Sequence, residues 1–192
     1  MGSGREPFLE PILRRMRIRK VLPYVKSCKG CSLLDIGCGF NHAFLTEIEE
    51  YIRMGVGIDT KVSEVETGKM VTRRLDLDDQ LPFPDGHFDM VTMLAVLEHL
   101  SKPDDIIGEV ARVLRSNGRL FVTVPSPRAR AVLEFLSYGL HLVSEEEIRD
   151  HKRYYDRDSL HSLVSPNGLI VERHRYFQFG MNNFLVARKG SP

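Results

Sequence analysis

The sequence predicts one α/β domain, built on a mostly parallel sheet with helices on both faces. Three observations support this fold class: short apolar runs alternate with helical patterns, a two-glycine turn follows the first run, and two apolar runs around a Gly/Asn turn close the chain. Strands that alternate with helices form parallel sheets covered on both faces. A length of 192 residues suits a single domain over 1–192.

The first strand is predicted at 33–36, and a glycine turn and a helix follow it. The strand carries Asp35 near its end, the turn contains Gly37 and Gly39, and apolar side chains then recur at helical spacing, namely Ala43, Phe44, Leu45 and Ile48. Because glycine has no side chain, such a turn lets backbone N–H groups approach a ligand closely. Asp35 adds a hydrogen-bond acceptor, which suits a cationic or hydroxyl-rich ligand better than a pyrophosphate.

The glycine turn by itself leaves alternatives open. Gly37 and Gly39 match the start of the dinucleotide fingerprint G-x-G-x-x-G, but His42 stands at its last position. Since the third glycine permits close helix–strand packing, its absence argues against NAD or FAD. No Gly-Lys-Ser/Thr follows, so a Walker A phosphate loop is excluded. A strand–helix turn without any ligand remains the alternative at this point.

Further strands, two helices and a terminal hairpin complete the predicted domain. Apolar runs predict strands at 54–59, 70–75, 88–94 and 120–124. Helical spacing behind an acidic first turn predicts a helix at 104–114, which Asn117-Gly118 would close. A shorter helix is expected near 159–164. Two apolar runs around a Gly/Asn turn predict an antiparallel hairpin of 169–176 and 183–188.

Two segments lie outside this core. Residues 7–26 combine apolar side chains with a basic cluster, which is Arg14, Arg15, Arg17, Arg19 and Lys20. We expect a helix docked on the core with a solvated basic face, and peripheral membrane contact through 12–20 is the alternative. Residues 127–155 are strongly apolar and follow the carboxyl end of the fifth strand, where α/β sheets bind ligands. We therefore expect a substrate lid there, with a packing helix as the alternative.

Composition limits the partners and the compartment. The formal net charge is +1, which offers no whole-chain attraction for nucleic acid, so we expect no DNA partner. No apolar run approaches the ~20 residues that cross a bilayer, and the N-terminus lacks the apolar core of a signal peptide. Cys28, Cys31 and Cys38 are an odd, clustered set. We expect reduced thiols in a cytoplasmic protein, rather than disulfides or a zinc site with His42.

Five segments in order resemble the motifs of the class I S-adenosylmethionine-dependent methyltransferases. The segment 33–41 is similar to the first motif of this family, and Gly57-Ile58-Asp59 is similar to the second. The later motifs are matched by Asp76 with 81–91, by 96–100 and by 112–120. The family often has a third small residue where this chain has Asn41, a residue type that tolerates positive φ. The order and spacing of the segments carry the resemblance, since each alone is weak.

The resemblance implies a fold and an activity. The fold is a Rossmann-like seven-stranded sheet in the order 3-2-1-4-5-7-6 with strand seven antiparallel, which accounts for the terminal hairpin. The activity is that of a methyltransferase (EC 2.1.1.-). Its cofactor, S-adenosyl-L-methionine, would bind at the carboxyl ends of strands one to four, with S-adenosyl-L-homocysteine as the product.

The resemblance also assigns the cofactor to named residues. Asp35, Gly37 and Gly39 would shape the pocket for the methionine part and the ribose. Asp59, about twenty residues beyond the turn, would accept hydrogen bonds from the ribose hydroxyls. Asp76 and Leu77 would lie beside the adenine, and Asp78 and Asp79 compete with Asp76 for the role of the acid there. Met93 and Leu94 would face the methionine amino group through their backbone carbonyls.

Methyl transfer from a sulfonium needs an aligned methyl acceptor, and a base only where that acceptor must lose a proton. The candidate bases are His151, which we favour because it lies near the end of the expected lid among polar and aromatic residues, and His99. A structural or substrate-orienting histidine is the alternative. Glu98-His99 is similar to the Glu-x-x-Glu-His pattern of metal-assisted quinone-type methyltransferases, but Ala95 replaces the first glutamate, so we expect no metal.

The methyl acceptor is the least determined part of the prediction. The apolar segment 127–155 favours a small or amphipathic molecule, and 176–183 resembles relatives found with glycan and lipid-linked sugar enzymes, which favours a sugar- or lipid-linked one. An aromatic content of 8% without tryptophan offers few stacking platforms for RNA. RNA and protein acceptors stay open as alternatives. A catalytically inactive cofactor-binding partner or regulatory subunit is the alternative of a different class.

Overall fold

Seven strands form one mixed sheet in the computed structural model, which describes residues 9–77, 80–134 and 149–191. The strands are β1 (Ser32–Ile36), β2 (Met54–Asp59), β3 (Met70–Arg74), β4 (Phe88–Leu94), β5 (Leu114–Pro125), β6 (Leu169–Phe177) and β7 (Asn182–Lys189). They pair in the order β3-β2-β1-β4-β5-β7-β6. Strands β1 to β5 run parallel, and β7 is antiparallel to both β5 and β6. This topology confirms the order that the resemblance implied.

Helices cover both faces of the sheet, as the alternating pattern predicted. They are α1 (Glu10–Ser27), α2 (Ala43–Ile48), α3 (Pro103–Val113), α4 (Ala129–Glu134) and α5 (Arg157–Val164), with 3-10 turns at Leu97–His99 and Ser165–Asn167. The N-terminus of α3 has proline and two acids in its first turn, which suits the free N–H groups there. The helix α5 begins at a capping box formed by Asp156 and Ser159.

Two apolar layers sandwich the sheet because neighbouring residues of a strand point to opposite faces. Leu33 of β1 packs into the layer under α1 and α2, whereas Leu34 and Ile36 pack into the layer under α3 and α5. The predicted N-terminal helix is docked in this way. Its buried residues are Ile18, Val21 and Val25, and the basic side chains of Arg15, Arg19 and Lys20 are exposed.

The structure corrects the boundary between α3 and β5. The helix ends at Val113 and the strand begins at once, so Asn117-Gly118 lies inside β5 and is not a helix cap. The pairing with β4 shifts from Phe88↔Leu114 to Met90↔Arg119, and Asn117 has a φ of 64° within this irregularity. The Asn-Gly signal therefore marks a bulge, because both residue types tolerate the left-handed backbone that a bulge needs.

A partly buried carboxylate clamps the starts of three central strands. One carboxylate oxygen of Asp89 accepts from the backbone N–H and the hydroxyl of Ser32, both at 2.8 Å, and the other accepts from Arg115 at 2.9 Å. Burial alone would raise the pKa of Asp89, but the hydrogen bonds from Ser32 and Arg115 outweigh it and hold that pKa below its usual range. The clamp joins β1, β4 and β5 at the end of the sheet opposite their carboxyl termini.

The exchange Asp89→Asn is expected to lower the free energy of unfolding by about 1–2 kcal/mol at neutral pH, since it removes a charge-assisted bond. A carboxylate with a lowered folded pKa stabilises the fold above its unfolded pKa of about 3.9 and loses that effect as the pH falls through the folded pKa. Urea unfolding at a series of pH values measures the difference. The matched control is Asp85→Asn, because Asp85 is 81% exposed although it also pairs with an arginine. Its loss is expected to stay below about 0.5 kcal/mol. An Asp89→Asn deficit that is equally large at about pH 2 would contradict the assignment.

Candidate active site

A cavity of about 1060 Å³ opens beyond the carboxyl ends of β1, β2 and β4. This is the position at which α/β sheets bind their ligands. Six of the residues predicted to bind the cofactor line it: Asp35, Gly37, Gly39, Asp59, Leu77 and Leu94. His99 and His151 line the same cavity, so the predicted cofactor-binding residues and the two candidate bases share one cavity.

The two turn glycines have different reasons to be glycine. Both have left-handed backbones, with φ of 71° at Gly37 and 73° at Gly39. A Cβ on Gly37 would lie 2.2 Å from Cγ2 of Val96, so the close packing there excludes a side chain. A Cβ on Gly39 would meet nothing within 4 Å, because the space in front of this residue is the open cavity. Gly39 thus leaves room for a ligand against the backbone.

The left-handed residue that precedes the helix after the turn is His42 and not Asn41. His42 is the residue before α2 and has a left-handed backbone with a φ of 40°. The positive φ expected to be tolerated by Asn41 therefore occurs one residue later. This backbone shift lets α2 begin without a third glycine, and Phe40 remains 70% exposed on the wall of the cavity.

Asp59 is held at the end of β2 by backbone amides. Its Oδ2 accepts from the N–H of Gly39 at 3.0 Å, and its Oδ1 accepts from the N–H of Lys61 at 2.8 Å. Each carboxylate oxygen can accept a second hydrogen bond. The geometry therefore presents two acceptor atoms side by side to the cavity, which matches the needs of two neighbouring hydroxyl groups.

Asp35 brings a buried carboxyl group to the same cavity. It is 2% exposed, and the hydroxyl of Thr92 donates to its Oδ1 at 2.5 Å. Burial raises the pKa of Asp35 to about 7; the Thr92 hydrogen bond lowers it, and the charge of Asp59 raises it further. A bound cation would favour the ionised form, because it would supply the opposite charge that the apolar surroundings withhold. Burial and then the charges of Asp35 and Asp59 raise the pKa of the Cys38 thiol, which therefore stays protonated.

These features fit S-adenosylmethionine. The paired oxygens of Asp59 suit ribose hydroxyls, the buried carboxyl of Asp35 suits a cation, and the gap in front of Gly39 suits a ligand lying on the backbone. Two acids at the mouth of the turn fit a phosphate poorly, since like charges repel. Leu77 and Leu94 add apolar surface.

The structure does not bring every predicted cofactor residue to the cavity. Asp76 is exposed, and its neighbour Leu77 lines the cavity in its place. Met93 is fully buried in the layer under α3 and α5, whereas Leu94 faces the cavity. The competing acids Asp78 and Asp79 lie outside the described residues. The roles assigned to the individual residues stay predictions.

Sequence reasoning missed two residues after β4. Ala95 and Val96 both line the cavity, and the φ of 61° at Ala95 turns the chain toward it. A small residue directly after a buried strand was the available signal, because a left-handed backbone disfavours larger or branched side chains. The side chain of Val96 then closes over Gly37.

Two histidines from distant segments form one cluster. The rings of His99 and His151 lie 4.9 Å apart. Nδ1 of His99 lies 3.0 Å from Oδ2 of Asp150, and Nδ1 of His151 lies 3.3 Å from the hydroxyl of Tyr154. Burial and then the charge of His99 lower the pKa of His151 to about 4, so His151 is neutral at physiological pH.

The segment that carries His151 is tied to the sheet by backbone bonds. The N–H of Lys152 donates to the carbonyl of Glu98 at 2.8 Å, and the N–H of Tyr155 donates to the carbonyl of Pro125 at 3.2 Å. Leu133 and Arg149, on either side of 135–148, also line the cavity. The centre of the predicted lid, 135–148, lies outside the described residues, so the lid stays a prediction.

The cluster also offers ligands for a metal ion. Glu98, His99 and His151 each present one ligand atom, and these atoms lie within 4.8 Å of one another. The sequence predicted no metal because Ala95 replaces a glutamate, but His151 supplies a third ligand that spacing did not reveal. The zinc site that the sequence analysis set aside involved other residues, namely the three cysteines and His42, and these cysteines are free thiols.

The chain matches the family model described as "Methyltransferase domain" over residues 4–174. It is 34% identical over 143 residues to the 27-O-demethylrifamycin SV methyltransferase of Amycolatopsis mediterranei, which covers 65% of this chain and 53% of that protein. It is 27% identical over 162 residues to the ubiquinone biosynthesis O-methyltransferase of Bartonella quintana, covering 74% and 62%. The chain thus spans about half the length of the first curated relative.

A solved structure has the same fold. The S-adenosylmethionine-dependent methyltransferase from Mesorhizobium loti superposes with a TM-score of 0.70 at 18% identity, over 92% of this chain and 98% of that one. At this identity the likeness supports the fold alone. Within the described ranges, no helix combines the length and apolar character that crossing a bilayer requires.

The exchange Asp35→Asn is expected to flatten the pH dependence of stability in the ligand-free protein. An acid whose pKa is raised in the folded state stabilises the fold below its unfolded pKa of about 4 and loses that effect as the pH rises through about 7. Relative to the variant, the wild type should lose on the order of 4 kcal/mol between about pH 4 and pH 8. The measurement is chemical unfolding across this range.

Thr92→Val serves as the matched variant. It keeps the side-chain shape and removes the bond that lowers the pKa of Asp35, so the loss of stability should extend to higher pH. Parallel curves for wild type and Asp35→Asn would show that Asp35 does not change its protonation in this range.

Proposed function

The chain belongs to the class I S-adenosylmethionine-dependent methyltransferases, and we propose that it transfers the methyl group of this cofactor to a small or amphipathic methyl acceptor. The observation that carries the proposal is the position of Asp59. Its carboxylate is held by the N–H of Gly39 at the lip of a cavity that His99 and His151 also line.

The proposed division of the cavity gives each wall a task. When bound, S-adenosylmethionine supplies an electrophilic methyl group on a positively charged sulfur. Asp59 would bind the ribose hydroxyls, and Asp35 would favour the cationic end of the ligand. Leu77 would pack against the adenine of the cofactor, and Asp76, which does not line the cavity, would act on the adenine from further away. Leu94 and the backbone of Met93 would position the methionine part. Gly39 would leave room for the cofactor against the backbone of the turn, and Gly37 would shape the turn by letting Val96 pack against it.

We propose that the methyl acceptor occupies the histidine side of the cavity, beside the cofactor. Pockets for single drug-sized ligands measure about 300–1,000 Å³, and this cavity measures about 1060 Å³. An enzyme that holds both reactants in line avoids most of the entropic barrier of a two-molecule reaction. The histidine cluster would then stand next to the transferred methyl group.

We propose that the cluster removes a proton from a hydroxyl acceptor. An ionised Asp150 can only accept, so Nδ1 of His99 must carry the hydrogen of the 3.0 Å contact. In the neutral imidazole, Nε2 of His99 would then carry the lone pair, as in an oriented general base. His151 has a pKa near 4 and would stay neutral, so it would orient the acceptor while His99 takes the proton. This proposal moves the base from His151, which the sequence favoured, to its neighbour.

Several features support the proposed class of methyl acceptor. The names of two relatives refer to small molecules: one is a methyltransferase of 27-O-demethylrifamycin SV, and the other is an O-methyltransferase of ubiquinone biosynthesis. Leu13, Leu133 and Phe40 add apolar surface to the lining of the cavity, which suits an amphipathic molecule. A sugar- or lipid-linked acceptor is the favoured version, and it would give residues 12–20 a membrane surface as a partner. RNA or protein acceptors, or a role as an inactive cofactor-binding subunit, are the alternatives. A transfer screen with radiolabelled methyl donor over sugars, lipids, RNA and proteins separates them.

The exchange Asp59→Asn is expected to weaken S-adenosylhomocysteine binding by about tenfold to a hundredfold, because hydrogen bonds to a charged group contribute about 1.5–3 kcal/mol. Calorimetry measures the affinity. Asp76→Asn provides the comparison, and its effect should be smaller because Asp76 does not line the cavity. Unchanged binding by a folded Asp59→Asn protein would contradict the proposed cofactor site.

The exchange His99→Gln is expected to lower kcat by about a hundredfold to ten-thousandfold with a hydroxyl acceptor from the screen, as removal of a general base does. Asp150→Asn should lower kcat less, since it only releases the ring, and His151→Gln should act mainly on KM. Binding of S-adenosylhomocysteine should remain within about twofold in all three, which separates loss of the base from loss of the pocket. If a chelator stops turnover and a divalent ion restores it, the result would contradict the general base and favour a metal ion bound by Glu98, His99 and His151.

A further inference from the structure

Large apolar side chains are exposed on several of the segments that line the cavity. Among the described residues, seven large hydrophobic side chains are notably exposed, and five of these lie on segments that line the cavity. The five are Ile12 and Met16 on α1, Phe40 in the glycine turn, Val132 on α4 and Phe179 between β6 and β7. Scattered apolar residues are normal on a surface, but a concentration at one opening indicates an interaction site.

The loop between β6 and β7 holds Phe179 in solvent by its backbone. Three successive residues, Gln178, Phe179 and Gly180, have positive φ values of 51°, 57° and 85°. Such a conformation is unfavourable for phenylalanine, yet this side chain is fully exposed at 101%. The loop is fixed by bonds from the N–H of Gly180 to Phe177, at 3.1 Å, and from the hydroxyl of Ser126 to Gly180, at 2.7 Å. A strained backbone thus displays an aromatic ring that packs against nothing in the fold.

The same loop touches α1 at Met16, so Phe179 and the exposed apolar residues of α1 lie on neighbouring segments. Nε2 of Gln178 lies 3.4 Å from Sδ of Met16. We define the mouth patch as Ile12, Met16 and Phe179. Its helical part belongs to a stripe with the spacing i, i+3, i+4, i+7, which is Ile12, Arg15, Met16 and Arg19.

Charge around the mouth patch is positive. Arg15, Arg19 and Lys20 are exposed on α1, and Arg128 is exposed next to Gly180. The one acid of α1, Glu10, pairs with Arg17 at 3.1 Å on the side that lines the cavity. Basic side chains beside exposed apolar ones favour contact with anionic lipids, because the negative surface potential of such lipids attracts lysine and arginine.

We propose that the mouth patch docks the protein on an anionic lipid surface, with Phe179, Ile12 and Met16 inserted between headgroups and Arg15 and Arg19 against their phosphates. The purpose of this docking rests on the proposed function, because it would bring the protein to the surface where a lipid-linked or amphipathic methyl acceptor is concentrated. The docking itself requires neither cofactor nor turnover. It extends the membrane contact expected at residues 12–20 to a loop more than 150 residues away in the chain.

The test is cosedimentation of the full chain with vesicles, without methyl donor or acceptor. Vesicles of phosphatidylcholine with about one-third phosphatidylglycerol should bind the protein, and pure phosphatidylcholine should bind it at least about tenfold less. Raising the salt from about 0.05 M to about 0.5 M should weaken binding by screening. The exchange Phe179→Asp should reduce binding about tenfold or more, because it removes the inserted ring. Aspartate tolerates the left-handed backbone, so the loop should keep its shape.

Ile170→Asp is the matched control. Ile170 is 52% exposed but lies at the start of β6, at the end of the sheet away from the cavity, so binding should stay within about twofold. Reversing Arg15 and Arg19 to glutamate should reduce binding to anionic vesicles about twentyfold or more. Absence of binding by the wild type, or equal binding by Phe179→Asp and Ile170→Asp, would overturn the proposal. Calorimetry with S-adenosylhomocysteine separates the docking from the proposed function. A protein that binds vesicles but not S-adenosylhomocysteine would support the docking and contradict the proposed function. A protein that binds S-adenosylhomocysteine but not vesicles would contradict only the docking.

Discussion

The bond between the Asp59 carboxylate and the Gly39 amide is the interaction on which the site depends. It joins the end of β2 to the turn that follows β1, and thereby fixes both walls of the cavity at once. The bond is possible because β1 and β2 are parallel neighbours in register, with Ile36 opposite Ile58, so their carboxyl ends emerge side by side. Without it, the aspartate would be one more solvated acid at a strand end, and the glycine turn would have no fixed partner.

The cavity is built at the expense of stability. Asp35 lies wholly buried on the face of the sheet that also carries Leu33, where an apolar side chain would pack better, and its raised pKa reflects that unfavourable position. The left-handed residues Gly37, Gly39, His42 and Ala95 cluster around the same opening. Strain and buried charge of this kind persist where a ligand compensates for them, and they are typical of functional sites.

The histidine cluster and the mouth patch share one structural cause. Each brings together residues that are distant in the chain: His99 and His151 in the first, and Met16 and Phe179 in the second. Both are located where chain segments return to the carboxyl ends of the strands. The bonds from Lys152 to Glu98 and from Tyr155 to Pro125 hold one such return in place, so the catalytic proposal depends on packing outside the motifs.

The sequence alone determined the alternation of strands and helices, the terminal hairpin, the glycine turn and the acid Asp59, because each of these is expressed in local periodicity or short spacing. The family resemblance added the strand order. Tertiary structure alone decided that Leu94 faces the cavity while Met93 is buried, that Asn117-Gly118 forms a bulge, and that Asp150 holds His99. These outcomes depend on which face a strand residue occupies and on contacts between distant segments. Spacing along a chain carries no information about such contacts until the sheet has brought the segments together.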